Sequence, residues 1–190
     1  MENAAVIIRP VRHGVIGLVL LAAVAGSVLA VPFPDALFGA LLAGLMLAIA
    51  IIDSKRYIIP DELTGAAVVL ALLRAGLVGP EPAWHGLIWA ALRAIAVTLP
   101  LLLLMTGYRR WRGRDGLGLG DIKLAAVAGA WLGFVTIFAV IELAALSALA
   151  AYAVNAYLNK QPLKATAFLP FGAFLAPAIW IGWLAEALLQ

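Results

Sequence analysis

Long apolar stretches, separated by short polar links, run along the whole chain. Seven such stretches are bounded by charged residues, proline or glycine, and their continuity predicts helices. They cover residues 14–31, 36–52, 63–78, 84–105, 122–132, 134–158 and 167–189. Because a helix that crosses a membrane needs about 20 apolar residues, the pattern predicts an all-α polytopic membrane protein with about seven transmembrane helices.

The composition agrees with a membrane protein. Of the 190 residues, 65% are hydrophobic and 12% are charged, whereas roughly 45–50% of a typical soluble domain is apolar. Seven crossings leave no length for a separate soluble domain beside them, so we expect residues 1–190 to form a single transmembrane domain. We expect the protein to contact the lipid bilayer and not to bind nucleic acid.

The basic residues cluster in or beside alternate links. Eleven of the 13 Lys and Arg residues precede the first segment or accompany the links after the second, fourth and sixth segments. These are Arg9, Arg12, Lys55, Arg56, Arg109, Arg110, Arg112, Arg114, Lys123, Lys160 and Lys164. Short loops rich in Lys and Arg face the cytoplasm. The alternation therefore predicts a cytoplasmic amino terminus, and it requires that the short fifth segment crosses the membrane rather than re-entering it.

Arg74, Arg93 and Glu142 lie inside apolar segments. An ionisable side chain at membrane depth is costly and normally faces a partner within the bundle. Arg93 and Glu142 have matched depths, ~12–14 Å below the same end of their segments by helix rise. We therefore expect a buried ion pair between the fourth and sixth helices, with a substrate-binding or proton-carrying role as the alternative.

The aspartates fall into two groups. Asp35 and Asp61 each follow a proline at the start of an apolar segment, which is typical of a helix N-cap, and Asp115 lies in the Arg-rich link, where a charge is solvated. Asp53 directly follows the second segment and Asp121 directly precedes the fifth. The predicted topology brings these last two to the cytoplasmic face. An interfacial charge for Asp53 and an N-cap for Asp121 are the alternatives.

Three glycines precede Asp121, at Gly116, Gly118 and Gly120. Glycine allows positive φ and close backbone approach, which a binding strand would use and a simple cap would not. Two facing carboxyls share a proton, because neighbouring like charges cannot both ionise easily. One can then take a proton from water while the other acts on the carbonyl under attack. This hydrolysis needs no metal or cofactor, and it suits a chain without cysteine whose two histidines are far apart.

The sequences around Asp53 and Asp121 resemble those of the type IV prepilin peptidases, a branch of the GxGD membrane aspartyl proteases. GLGD, residues 118–121, continued by Ile-Lys-Leu, resembles the family's second-aspartate motif. DSKRYIIPDELT, residues 53–64, is similar to the first-aspartate signature, an acid at a helix end followed by Ile-Pro and Leu-Thr. LPFGAFLAP, residues 169–177, resembles a terminal Pro-Phe-Gly-Pro stretch, with Ala173 in place of the expected proline.

The resemblance implies an intramembrane-type aspartic endopeptidase with Asp53 and Asp121 as its catalytic pair. It would remove the basic leader of type IV prepilins or pseudopilins at the cytoplasmic face of the bacterial inner membrane. The motifs also imply supporting or substrate-binding roles for Gly118, Gly120, Pro60 and Lys123. Two positions along a helix from Asp121, Lys123 points away from it, so we expect it to contact lipid phosphates or the substrate leader.

The matched region implies a catalytic helical core over residues 36–189, with the segment 14–31 as an extra amino-terminal helix. The sequence lacks the Cys-x-x-Cys zinc ligands of longer family members and resembles the short, peptidase-only form, which leaves methylation of the product open. A polytopic transporter, or a non-catalytic pilus or secretion assembly protein, is the alternative. Internal repeats would favour a transporter, and the two halves of the chain share no such pattern.

Overall fold

The computed structural model describes residues 13–78, 82–113, 118–160, 162 and 169–189. These residues form seven α-helices and no strand. The helices are α1 (His13–Ala30), α2 (Asp35–Arg56), α3 (Asp61–Leu77), α4 (Ala83–Arg112), α5 (Leu119–Trp131), α6 (Phe134–Leu158) and α7 (Gly172–Leu189). The residues discussed above that lie outside the described part are Arg9, Arg12, Arg114, Asp115, Gly116 and Lys164.

The prediction of an all-α polytopic membrane protein is confirmed. Among the described residues, the four helices α2, α4, α6 and α7 are long and apolar enough to cross a membrane. Helix α4 continues to Arg112, beyond the predicted end at Met105, because the arginines in its last turn are good helix formers. It ends where Gly113 adopts a φ of 66°, a conformation that glycine takes without strain.

The shortest helix, α5, lies at the centre of the bundle. It contacts α3, α4, α6 and α7, and most of its side chains are buried. Gly129 lets α4 come close, since a Cβ there would lie 2.8 Å from the carbonyl oxygen of Arg93. Helix α5 covers only ~18 Å by helix rise, against ~30 Å of hydrocarbon. Because most of its side chains are buried, other helices rather than lipid surround most of α5.

Helix α5 also joins the two ends of the bundle. Asp121, in its first turn, lies at the same end as Asp53 of α2, because Gly120 and Gly172 both pack against Ile59 and Gly172 also meets the Asp53 carboxylate. Just beyond its last turn, the amide of Gly133 donates to Oε1 of Glu186, near the end of α7, at 2.8 Å. The segment therefore passes through the bundle in one direction and does not turn back. We call the end that holds Asp53 and Asp121 the acid end.

The opposite end of the bundle, the ion-pair end, holds a contact that was not predicted. Nε and Nη2 of Arg74 donate to the two carboxylate oxygens of Asp35 at 2.5 and 3.0 Å. The guanidinium also lies over the Trp131 ring, 5.6 Å from its centroid. The N-cap prediction for Asp35 is wrong, because α2 begins at Asp35 itself and Pro34 occupies the cap position. Its carboxylate is therefore available to bind α3.

The predicted pair between Arg93 and Glu142 is also wrong. Nε of Arg93 donates to the carbonyl oxygen of Gly129 at 3.3 Å. Glu142 lies on the exposed side of α6. Depth can be counted along a helix, but the direction of a side chain around the axis depends on which helices pack together. Helix α4 packs against α3 and α5, whereas α6 packs against α7.

We expect Arg74→Gln to destabilise the protein, because it removes the cationic partner of the Asp35 carboxylate, whose side chain is only 15% exposed. Breaking a fully buried pair costs about 3–5 kcal/mol, and partial exposure should reduce this loss to about 1–3 kcal/mol. Thermal unfolding in detergent, followed by tryptophan fluorescence, measures the change. Arg110→Gln, at an exposed position of α4, is the control; equal melting of the two variants would contradict the structural role of the pair.

Candidate active site

The link between α2 and α3 is built by the motif that follows Asp53. Tyr57 ends α2 in the left-handed conformation, with a φ of 55°, and its amide donates to the carbonyl of Asp53 at 2.9 Å. Residues 58–60 leave the helix because the residue before a proline disfavours helical geometry, and α3 begins directly after Pro60. The hydroxyl of Thr64 donates back to the carbonyl of Pro60 at 3.2 Å. The Ile-Pro-x-x-Leu-Thr pattern thus forms a closed turn at the acid end.

Asp53 is held by the start of α7. The residue is buried, with 4% of its surface exposed, and its Oδ2 accepts a hydrogen bond from the amide of Ala173 at 2.8 Å. Ala173 lies in the first turn of α7, where backbone amides lack helical partners and the helix dipole attracts a carboxylate. The LPFGAFLAP motif therefore binds the first aspartate, a relation that the motif alone did not reveal.

Asp121 lies in the first turn of α5, beside Asp53. It is half-buried, and the preceding residue, Gly120, packs against Ile59, which also meets Gly172 beside the Asp53 carboxylate. Gly118 occupies the N-cap position of α5 without a side-chain bond, so the N-cap alternative for Asp121 is wrong. A Cβ on Gly118 would lie 3.0 Å from Oδ2 of Asp121, which explains why a residue without a side chain stands there. The structure thus brings the two aspartates together, and their catalytic role stays a prediction.

Ile59 fills the space between the starts of α5 and α7. A Cβ on Gly120 would lie 3.0 Å from Cδ1 of Ile59, and one on Gly172 would lie 2.6 Å from the same atom. A Cβ on Gly172 would also lie 3.0 Å from Oδ2 of Asp53. The two glycines therefore allow α5, α7 and the link after α2 to meet beside the carboxyls. Ile59 and Gly172 received no role from the sequence, although both lie within the quoted motifs.

Lys123 forms an ion pair with Asp61 at the start of α3. The N-cap prediction for Asp61 is wrong, because α3 begins at Asp61 and Pro60 occupies the cap position without a side-chain bond. The side chains of Lys123 and Asp61 are 34% and 72% exposed, so the pair contributes only about 0.2–1 kcal/mol. A contact of Lys123 with lipid phosphates or a substrate leader stays a prediction.

The arrangement at the acid end suits acid–base chemistry on a bound water molecule. Asp53 is fixed by a backbone amide, and the half-buried Asp121 lies at the start of a neighbouring helix. Two such carboxyls can share a proton, so that one acts as a base while the other donates a hydrogen bond. Within the described part of the chain, no group of three or more His, Asp or Glu side chains could hold a metal ion.

Gly172→Ala should destabilise the protein, because the added methyl group meets both Ile59 and the fixed carboxylate of Asp53. Inserting a methyl group into such a packed site costs about 1–3 kcal/mol. The control is Gly65→Ala on α3, where an added Cβ meets nothing within 4 Å and helix propensity should leave stability equal or higher. The melting temperatures of both variants in the same detergent test this expectation; a Gly172→Ala variant as stable as Gly65→Ala would contradict the close packing.

Comparisons with known proteins identify the family to which the chain belongs. A profile described as the type IV leader peptidase family matches residues 40–154, which is more than half of the chain. Among curated proteins, the prepilin leader peptidase/N-methyltransferase of Pectobacterium carotovorum subsp. carotovorum is 37% identical over 143 residues, which cover 74% of this chain and 49% of the relative. The protein of that name from Dickeya chrysanthemi is 35% identical over 143 residues, covering 74% of this chain and 48% of the relative.

A third relative aligns over more of its own length. The prepilin leader peptidase/N-methyltransferase of Escherichia coli (strain K12) is 33% identical over 178 residues, which cover 91% of this chain and 76% of the relative. The chain spans about half the length of the Pectobacterium and Dickeya proteins. No solved structure shows significant similarity to it. The family profile and the identity to these three relatives agree, and the chain belongs to the type IV leader peptidase family.

Proposed function

We propose that this protein is an aspartic endopeptidase that removes the basic leader peptide of type IV prepilins or pseudopilins. The observation that carries the proposal is that Asp53 and Asp121 lie at one end of the bundle, where Ile59 packs between Gly120, next to Asp121, and Gly172, next to the Asp53 carboxylate. Family membership supports it, because the relatives are named prepilin leader peptidases. The proposed catalytic core is the region 36–189, which contains both aspartates and the start of α7.

In the proposed reaction, the two carboxyls act on a single water molecule. The ionised carboxyl accepts a proton from the water, whose oxygen attacks the carbonyl carbon of the scissile peptide bond. The protonated carboxyl donates a hydrogen bond to the carbonyl oxygen and stabilises the charge that develops there. Transfer of a proton to the leaving nitrogen then breaks the C–N bond. The amide of Ala173 holds Asp53 in one orientation throughout.

The proposed location of the reaction is the cytoplasmic face of the bacterial inner membrane. The acid end carries Lys55 and Arg56 at the end of α2, together with the arginines at the end of α4. Short basic segments of this kind face the cytoplasm. A basic leader would then stay on the side of the membrane where it is synthesised, and the bond at its end would reach Asp53 and Asp121 from that side.

Asp53→Asn and Asp121→Asn should each lower the rate of leader removal at least about a hundredfold. The amide keeps the size of the side chain but cannot exchange a proton, and general acid–base groups contribute roughly 10²–10⁴-fold to rates. Because the two carboxyls act as a unit, the double variant should be no slower than either single variant. Cleavage of a purified prepilin, followed on gels with equal amounts of folded protein in detergent, measures these rates.

Asp61→Asn is the matched control, since Asp61 is also an aspartate at the acid end but forms an exposed ion pair with Lys123. It should retain most of the parent activity. Asp35→Asn is less suitable, because it also breaks the contact with Arg74. Near-parent cleavage by Asp53→Asn together with inactivity of Asp61→Asn would reassign the first catalytic acid. A parent protein that leaves prepilins intact would favour a transporter or a non-catalytic assembly protein.

A further inference from the structure

The side chain of Ile59 lies between the two helix starts beside the acids. It is buried, with 9% of its surface exposed, although it belongs to the short link between α2 and α3. Its Cδ1 is the atom nearest to the Cβ positions of both Gly120 on α5 and Gly172 on α7. Gly120 directly precedes Asp121, and the Gly172 position also borders the Asp53 carboxylate. One terminal methyl group therefore separates the backbone next to one acid from the backbone next to the other.

Both ends of the link fix the backbone around Ile59. On the amino side, the amide of Tyr57 donates to the carbonyl of Asp53 at 2.9 Å. On the carboxyl side, the hydroxyl of Thr64 donates to the carbonyl of Pro60 at 3.2 Å. The proline restricts the residue before it to extended geometry, and a β-branched side chain has few χ1 rotamers. Ile59 is therefore a rigid part of the site.

The two acids are held by different helices. Oδ2 of Asp53 accepts a hydrogen bond from the amide of Ala173 at 2.8 Å, so the orientation of this carboxylate follows the start of α7. Asp121 lies in the first turn of α5, so its position follows that helix. The separation of the carboxyls thus depends on how closely the starts of α5 and α7 approach each other, and Ile59 occupies the space between them.

Catalysis by two carboxyls depends on their separation. One water molecule can contact both groups only within hydrogen-bond reach, which is about 2.6–3.2 Å between heavy atoms. A catalytic geometry must be kept to within about 0.5 Å, and a misplacement of about 1 Å can lower a rate about a hundredfold. A rigid side chain between the two helix starts therefore affects the rate without contacting the substrate.

We propose that Ile59 is a positioning residue that sets the separation of the Asp53 and Asp121 carboxyls. This inference rests on the proposed function, in which both acids act on one water molecule. Ile59 acts through the backbones of α5 and α7, and its size rather than its chemistry determines how far apart the acids lie. Gly120 and Gly172 leave the space that its methyl group needs.

The test shortens the Ile59 side chain and leaves both aspartates in place. Ile59→Ala is the main variant, and Ile59→Val, which removes only Cδ1, is used if Ile59→Ala does not fold. Ile58→Ala is the matched control, because Ile58 is the neighbouring residue of the same link and is 61% exposed. Each protein is assayed in detergent with a purified prepilin. Rates are expressed per folded molecule, with the folded fraction measured by tryptophan fluorescence.

Ile59→Ala should lower kcat about a hundredfold and keep KM within about twofold of the parent, because the acids shift while the substrate contacts stay. Ile59→Val should lower kcat about tenfold, since it makes a smaller change at the same place. Ile58→Ala should keep both constants of the parent. A purely structural role of Ile59 would lower the melting temperature and leave kcat per folded molecule unchanged.

A second change, at Gly120, tests the spacing directly. The methyl group of Gly120→Ala would lie 3.0 Å from Cδ1, 3.1 Å from Cβ and 3.3 Å from Cγ1 of Ile59, so this variant alone should have a lower kcat than the parent. Ile59→Ala removes Cδ1 and Cγ1 and leaves a gap that the new methyl group partly fills. Adding Gly120→Ala to Ile59→Ala should therefore raise kcat about fivefold, as coupling between two residues in contact allows.

Two results would overturn the role of Ile59 while leaving the peptidase function intact. In one, Ile59→Ala keeps the parent kcat per folded molecule or changes KM instead. In the other, Gly120→Ala lowers kcat by the same factor in the parent and in the Ile59→Ala protein. If the parent does not cleave the prepilin, the proposed function fails, and the inference fails with it.

Discussion

The hydrogen bond from the Ala173 amide to the buried Asp53 carboxylate determines the arrangement of the acid end. A buried charge without a partner costs several kcal/mol, so the carboxylate must meet a donor when α2 packs against α7. That contact brings the start of α7 to the end of α2 and leaves no room for a side chain at Gly172. Deeper in the same interface, Trp183 of α7 occupies the space that a Cβ on Gly39 would need.

The two ends of the bundle use charged residues in different ways. At the ion-pair end, Asp35 is bound by Arg74 and Glu186 accepts an amide hydrogen bond from Gly133. Such contacts hold helices together, and they leave the two carboxylates little chemical reactivity. At the acid end, no Lys or Arg among the described residues forms a salt bridge with Asp53 or Asp121. Two neighbouring carboxyls can share a proton and exchange it with water.

The elements that hold the two acids also line an apolar groove, which lies between the first turns of α1 and α7 and the last turns of α2 and α6. The start of α7 supplies the amide that holds Asp53 and also one wall of the apolar groove. The last turn of α2 carries Asp53 on one side and Ser54 on the groove side. Ile59 packs against Gly120 and Gly172, so that a change in the link after α2 would move α5 and α7 together.

The sequence by itself determined the number and approximate bounds of the helices. The length of an apolar run is a local property, and in lipid each helix must satisfy its own backbone hydrogen bonds. The motifs around Asp53 and Asp121 likewise distinguished these two acids from Asp35, Asp61 and Asp115. The lengths of the links and the positions of the charges were sufficient to predict that both acids lie at one end of the bundle.

Only the tertiary structure decided which side chains meet. Arg93 and Glu142 have matched depths along their helices, yet Arg93 contacts Gly129 and Glu142 faces outward. The sequence around Asp35 is typical of a helix N-cap, but its carboxylate binds Arg74, which lies on the next helix, α3. The rotation of one helix against another results from the packing of many residues that are distant in sequence, so no local pattern contains it. The contact of Ala173 with Asp53 depends on that packing for the same reason.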